Sequence, residues 1–176
     1  MARYAALLRG VNVTGDSRVA MADLRAWLAD LGYTGVRTHL NSGNAVFTAP
    51  EGPTERIAAA IEGRLTARLG REVPVVVRTA AELTAVVAGN PLEIRDPARC
   101  AVAFLAEDPA PERLRALKPA EFAPEEVGLG EKVLYLYFPN GLGRSTLVPT
   151  LERRLGVPAT VRNWNTVTRL LALTDA

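Results

Sequence analysis

The sequence predicts an α+β protein built twice over, and three observations carry that prediction. Short apolar runs alternate with helical periodicities, two helices end on the same Leu-Gly pair, and a Val-Pro segment recurs at a constant offset. With 48% apolar and 23% charged residues, the 176-residue chain can bury a core.

Tyr4 to Leu8 is a short apolar run followed by Gly10, Asn12, Gly15 and Asp16, so it reads as a buried strand entering a polar loop. Met21, Leu24, Leu28 and Leu31 then recur at helical spacing, and Gly32 stands where a left-handed residue closes a helix. Val36 to Leu40 and Ala45 to Thr48 flank Asn41, Ser42, Gly43 and Asn44, a composition that suits a tight turn between antiparallel strands. Pro53 opens a second helix with Ile57, Ile61, Leu65 and Leu69 on one face and Gly70 at its end. Val73 to Val77 is a β-branched strand, and Thr79 caps a third helix through Val87. Gly89 to Arg99, with Asn90-Pro91 and Asp96-Pro97, reads as a linker.

From Cys100 the order recurs. A strand runs to Leu105, a short helix lies around Leu114 and Leu117, and strands follow near Val127 and from Val133 to Phe138. A helix to Leu155, a strand from Ala159 to Val161 and a helix from Trp164 complete the second βαββαβα unit. Val73, Pro74, Val77, Arg78 and Thr79 correspond to Val157, Pro158, Val161, Arg162 and Asn163, while Leu65, Leu69 and Gly70 correspond to Leu151, Leu155 and Gly156. Residues 1–88 and 100–176 are therefore expected to be two ferredoxin-like repeats joined by 89–99, mainly antiparallel sheets with helices packed on one face. The first and third strands of each repeat are expected to run parallel. That would gather Arg9, Gly10 and Asn12 at one end of the first repeat, and Asn140, Gly141, Gly143, Arg144 and Ser145 at the same end of the second. The opposite ends would hold Asn41, Ser42 and Asn44 near Arg78, and Arg162, Asn163, Trp164 and Asn165.

Charge and residue counts exclude several classes. A net charge of +2, with almost all the positive charge carried by arginine, exerts no strong pull on nucleic acid or an anionic membrane. Cys100 is the only cysteine, so no intrachain disulfide forms, and its apolar run reads as core. With His39 as the only histidine, neither a His-rich metal site nor a Cys/His nucleophile pair is expected, and no cofactor is called for. The apolar run at the N-terminus, closed by Arg9, is too short for a signal peptide or a membrane span, so a cytoplasmic protein is expected.

Leu7-Leu8-Arg9-Gly10-Val11-Asn12-Val13, Arg37-Thr38 with Ser42-Gly43-Asn44-Ala45-Val46-Phe47, and Arg162-Asn163-Trp164-Asn165-Thr166-Val167 together resemble a bacterial family of uncharacterised proteins, domain of unknown function 1697. The resemblance runs nearly end to end, and it implies a compact α+β protein with no activity to carry over. The chain departs from that pattern at Thr14, where glycine is usual, at Asn41, where glutamine is usual, and at Thr146, where a lysine usually follows the serine. If that lysine helps bind an anion, Thr146 weakens such a site here.

The candidate ligand-binding residues are Arg9, Asn12, Arg37, Ser42, Asn44, Arg144, Ser145, Arg162, Asn163, Trp164 and Asn165. A glycine-rich turn with a serine at a helix N-terminus offers backbone N–H groups and a positive dipole to an anion, and Arg144 adds a charged fork. The spacing is not that of a nucleotide P-loop, and a cap is the plainer role for Ser145. Asn163 is explained as a cap, Asn44 as a turn residue, and Trp164 as a mostly buried anchor. Asp23, Asp30, Glu125, Glu126 and Glu152 form no obvious pair and read as solvated surface.

These residues favour a binding protein for a small anionic ligand, bearing phosphate or carboxylate, or for nucleic acid. The nucleic-acid reading needs exposed aromatics on the central strands, with Tyr4 and Phe47 or Tyr135 and Tyr137 as the candidates. The alternatives are a small cofactor-free enzyme polarising a carbonyl or phosphoryl group through Arg, Asn and Ser, and a structural or assembly protein. Oligomeric state is not legible.

Overall fold

The computed structural model describes residues 1–175. Among these, six α-helices and two four-stranded antiparallel sheets make an α+β protein. The first sheet is formed by β1 (Ala2–Leu8), β2 (Thr34–His39), β3 (Asn44–Ala49) and β4 (Val75–Thr79), with α1 (Met21–Asp30) and α2 (Thr54–Leu69) between them in sequence. α3 (Ala80–Ala88) follows. The second sheet is formed by β5 (Cys100–Leu105), β6 (Glu126–Gly130), β7 (Val133–Tyr137) and β8 (Ala159–Asn163), with α4 (Pro111–Ala116) and α5 (Leu147–Leu155) interspersed and α6 (Trp164–Thr174) last.

The strand order is β2-β3-β1-β4 in one sheet and β6-β7-β5-β8 in the other, so the second repeats the first with every index raised by four. In both, the first and third strands of the repeat are adjacent and antiparallel, which corrects the expectation that they run parallel. The hairpin is the reason. β3 returns antiparallel to β2 and pairs directly with β1, with Leu7 opposite Asn44. The loop leaving β1 therefore lies at the end where the β2–β3 turn sits.

Alternation along β1 sends Tyr4, Ala6 and Leu8 into a core with Leu24 and Leu28 of α1, Ile57, Ile61 and Leu65 of α2, and Phe47 of β3. Ala5 and Leu7 point to the other face and are buried as well, so the strand is apolar on both faces from Tyr4 to Leu8. Each fully buried Leu or Ile adds roughly 1.5–3 kcal/mol of transfer free energy. In the second unit, Ala101, Ala103 and Leu105 of β5 pack with Leu134 and Leu136 of β7 and Leu147, Leu151 and Leu155 of α5.

The helix ends follow the sequence. Gly70 and Gly156 both take left-handed conformations, φ 70° each, and donate to the carbonyls of Thr66 and Glu152. Thr79 Oγ1 accepts from Glu82 N–H at 3.0 Å while the Glu82 carboxylate accepts from Thr79 N–H at 3.0 Å, a reciprocal cap at the start of α3. Asn163 Oδ1 accepts from Thr166 N–H at 2.8 Å and caps α6.

Boundaries shift where long-range partners intervene. The strand expected from Val73 begins at Val75, whose N–H donates to Glu62 Oε1 at 2.9 Å, because Pro74 has no N–H for a ladder. β2 begins earlier than expected, at Thr34, with a register shift between Thr34 and Arg37, and stops at His39.

By contacts the chain divides into a unit of residues 1–84 with 169–176 and a unit of residues 85–168. The divisions fall inside α3 and α6, whereas the repeats expected from the sequence end at 88 and begin at 100. Within the first unit, Arg3 on β1 donates to Gly35 O at 3.1 Å and to Leu173 O at 3.1 Å, near the C-terminal end of α6. Within the second, Tyr135 Oη donates to Val86 O of α3 at 2.7 Å. No helix among the described residues is long and apolar enough to cross a membrane.

Candidate functional site

The loop 9–20 between β1 and α1 is built from its own side chains. Ser17 Oγ accepts from the N–H groups of Val13 and Thr14, at 2.8 and 2.9 Å, and donates to Thr14 O at 2.8 Å. Asn12 holds the other end. It takes a left-handed conformation, φ 56°, which asparagine tolerates better than most residues. Its Oδ1 accepts from Val19 N–H at 2.8 Å and its Nδ2 donates to Val19 O at 2.9 Å, so the amide pairs with Val19 as a strand would. Nδ2 also reaches Asn41 O of the β2–β3 turn at 2.5 Å.

That turn is tied to the same end of the sheet by the Leu8 N–H bond to Gly43 O, at 2.8 Å. Gly43 has φ 89°, and a Cβ there would lie 2.7 Å from Val11 Cγ2 and 2.8 Å from Leu8 Cβ. Only glycine fits. Between loop and turn lies a cleft of about 540 Å³ lined by Asn12, Val13, Thr14, Gly15, Arg18, Val19, Ala20 and Asn41. Ala20 is the N-cap of α1 and supplies no side-chain acceptor, so the cleft adjoins a helix start whose positive end has no side-chain cap. Arg18 is exposed on its wall.

Several expected groupings change accordingly. Arg9 and Asn12 share their end with Asn41 and Ser42, not with a loop after β3, because β1 and β3 are antiparallel. Arg9 is half-buried and its N–H donates to Pro74 O at 3.0 Å. Asn44 is fully buried and donates Nδ2 to His39 O at 2.8 Å and Ser42 Oγ at 2.9 Å, which holds the turn closed. Arg78 stands opposite Ala5 in the body of the sheet, away from the turn. Arg37 is exposed on β2.

In the second unit, α5 starts at Leu147 with Thr146 as its N-cap, so Ser145 is not the cap. Ser145 Oγ accepts from Leu147 N–H at 3.1 Å and donates to Glu125 Oε2 at 2.5 Å. The protein's own carboxylate thus stands where an external anion was expected, and Arg144 is exposed beside it in sequence. Trp164 is half-buried, less than the expected anchor, and Asn165 is exposed. Tyr4, Phe47 and Tyr135 are buried, at 2%, 0% and 3%, which removes them as a stacking platform for bases. Tyr137 carries the Arg95 guanidinium 3.9 Å above its ring centroid.

Burial also sets the titrations. Arg162, 9% exposed, donates Nη1 to Val161 O at 3.0 Å, and desolvation lowers its pKa from the ordinary arginine value to about 10. Arg78 makes the same bond to Val77 O, at 3.2 Å. Burial pushes the Cys100 thiol up, away from the reactive thiolate. His39 is held below the usual histidine range, first by desolvation and then by Arg169.

Of the residues that line the cleft, only Asn12 was a candidate from the sequence; Val13, Thr14, Gly15, Arg18, Val19, Ala20 and Asn41 were missed. The available signal was the stretch from Asn12 to Ala20, where a single arginine interrupts small and polar residues before the first helix.

Two similar antiparallel sheets and a polar cleft at a loop–turn junction define a small α+β protein. The family described as protein of unknown function (DUF1697) matches residues 1–135, and the chain belongs to that family. A solved structure of the conserved bacterial protein SP0830 from Streptococcus pneumoniae is similar in fold, with 24% identity, a TM-score of 0.75 and 98% of each chain covered. No curated protein matches the sequence.

Proposed function

We propose that the protein binds a small anionic ligand in the cleft between the loop 9–20 and the β2–β3 turn. The observation that carries this reading is the lining of the roughly 540 Å³ cleft, in which an exposed Arg18 stands beside the uncapped start of α1. A guanidinium and a helix N-terminus both favour phosphate or carboxylate. Arg9 and Ser42 belong to the same end of the sheet, and Asn12 and Asn44 act by holding the loops that frame it. Arg144, Ser145 and Arg162 fall outside this reading.

The scaffold in this reading is a pair of ferredoxin-like repeats, residues 1–88 and 100–176 joined by 89–99. The shared order β2-β3-β1-β4 and β6-β7-β5-β8, with antiparallel neighbours, supports it. Titrating inorganic phosphate into wild type and Arg18→Ala while following backbone amides by NMR tests the site. Wild type should show shifts confined to residues 12–24 and 41–43, and Arg18→Ala should lose them. Absence of shifts, or shifts centred on 141–147, would reject the cleft.

A further inference from the structure

We infer that the ligand of this cleft is an anion carrying an apolar group, an aliphatic or aromatic carboxylate or phosphate ester, with the apolar part lying over Val13 and Leu40. The inference rests on the anion-binding reading above and adds the chemistry of the rest of the molecule.

Four large apolar side chains are exposed among the described residues, and two of them belong to this loop and turn: Val13 at 75% and Leu40 at 57%. A lone exposed apolar residue needs no explanation, but these two are supplied by segments that meet. Val13 lines the cleft, and Leu40 directly precedes Asn41, whose carbonyl accepts from Asn12. Leu40 also has φ 61°, a left-handed conformation in which a bulky residue is an outlier. Strain of this kind persists where surrounding bonds impose it, and those bonds are present: Asn44 Nδ2 to His39 O, and Asn12 Nδ2 to Asn41 O.

Val13 is fixed equally, by its N–H to Ser17 Oγ. Both apolar side chains are thus presented on a braced frame, so covering them immobilises little backbone. The charge is at one wall, in Arg18, and Asp16 is the single acid in the loop 9–20. A cleft of about 540 Å³ falls within the range that takes a small molecule, and a ligand of mixed character uses both parts of its lining. A bare inorganic anion uses one.

Phenyl phosphate against inorganic phosphate separates the two levels of the reading. On wild-type protein, phenyl phosphate should bind on the order of tenfold more tightly, equivalent to about 1.4 kcal/mol. Val13→Ser and Leu40→Ser should each reduce that ratio, and the double variant should bring it to about one through loss of phenyl phosphate affinity. Arg18→Ala should weaken both ligands. Equal affinities on wild type, or a ratio that survives the double substitution, would overturn the apolar subsite and leave the anion site standing. If neither ligand binds the wild type, both readings fall.

Discussion

Asn12 commits its entire side-chain amide to the protein, accepting from Val19 N–H and donating to the carbonyls of Val19 and Asn41. Asn12→Ala should therefore destabilise by roughly 1–3 kcal/mol, the cost of leaving partly buried groups unpaired. Urea denaturation measures it, and a change within 0.5 kcal/mol would mean that the clasp is idle. Leu40→Gly should act in the opposite direction. Its side chain is largely exposed and its backbone left-handed, so glycine should stabilise by about 1 kcal/mol in the same assay. His39 makes a pH prediction. Because its folded pKa is depressed below 6.5, the unfolded chain binds the proton more readily, so this contribution to stability is complete above pH 6.5 and declines as pH falls through the folded pKa. Arg169→Gln should move the imidazole titration upward by NMR, and an unchanged midpoint would exclude the arginine's influence.

Elements are held at their ends by contacts of two kinds, and only one kind is written locally. Thr79 with Glu82, and Asn163 with Thr166, lie three residues apart, and so could be read as caps before any coordinates. Ser145 could not be assigned that way, because its decisive partner, Glu125, is twenty residues upstream and arrives only through the fold. The β2–β3 turn shows the same limit. Its composition announced a hairpin, but not that Gly43 would pack against Leu8 and Val11. Gly43→Ala should cost about 2 kcal/mol or more, combining a left-handed alanine with overpacking against two buried side chains. Retained stability in thermal unfolding would show that the turn can move away from β1.

The whole molecule repeats one strand order, and the recurrence of Leu69-Gly70 as Leu155-Gly156 made that repetition legible. Strand direction was misjudged, because a sequence pattern states that segments are strands without stating which neighbour each one pairs with. That one error separated Asn12 from Asn41 and hid the cleft they frame. Unit boundaries were hidden for a related reason, since the residues from 169 onward join the first unit although the sequence places them in the second repeat. An isolated fragment of residues 1–88 lacks those residues and the Leu173 carbonyl that Arg3 holds. It should unfold less cooperatively than the same unit in the full chain, by circular dichroism or amide exchange, and equal protection of β1 amides in both would contradict this.

The membership of Leu173 in the first unit reverses the usual timetable of synthesis. Domains generally complete in the order in which they leave the ribosome, N-terminal first. Here residues 85–168 form an unbroken stretch, while the unit that contains β1 waits for residues beyond 168. The first unit is therefore complete only once residues beyond 168 have been made, and Arg3 of β1 lacks its Leu173 partner until translation has passed that residue.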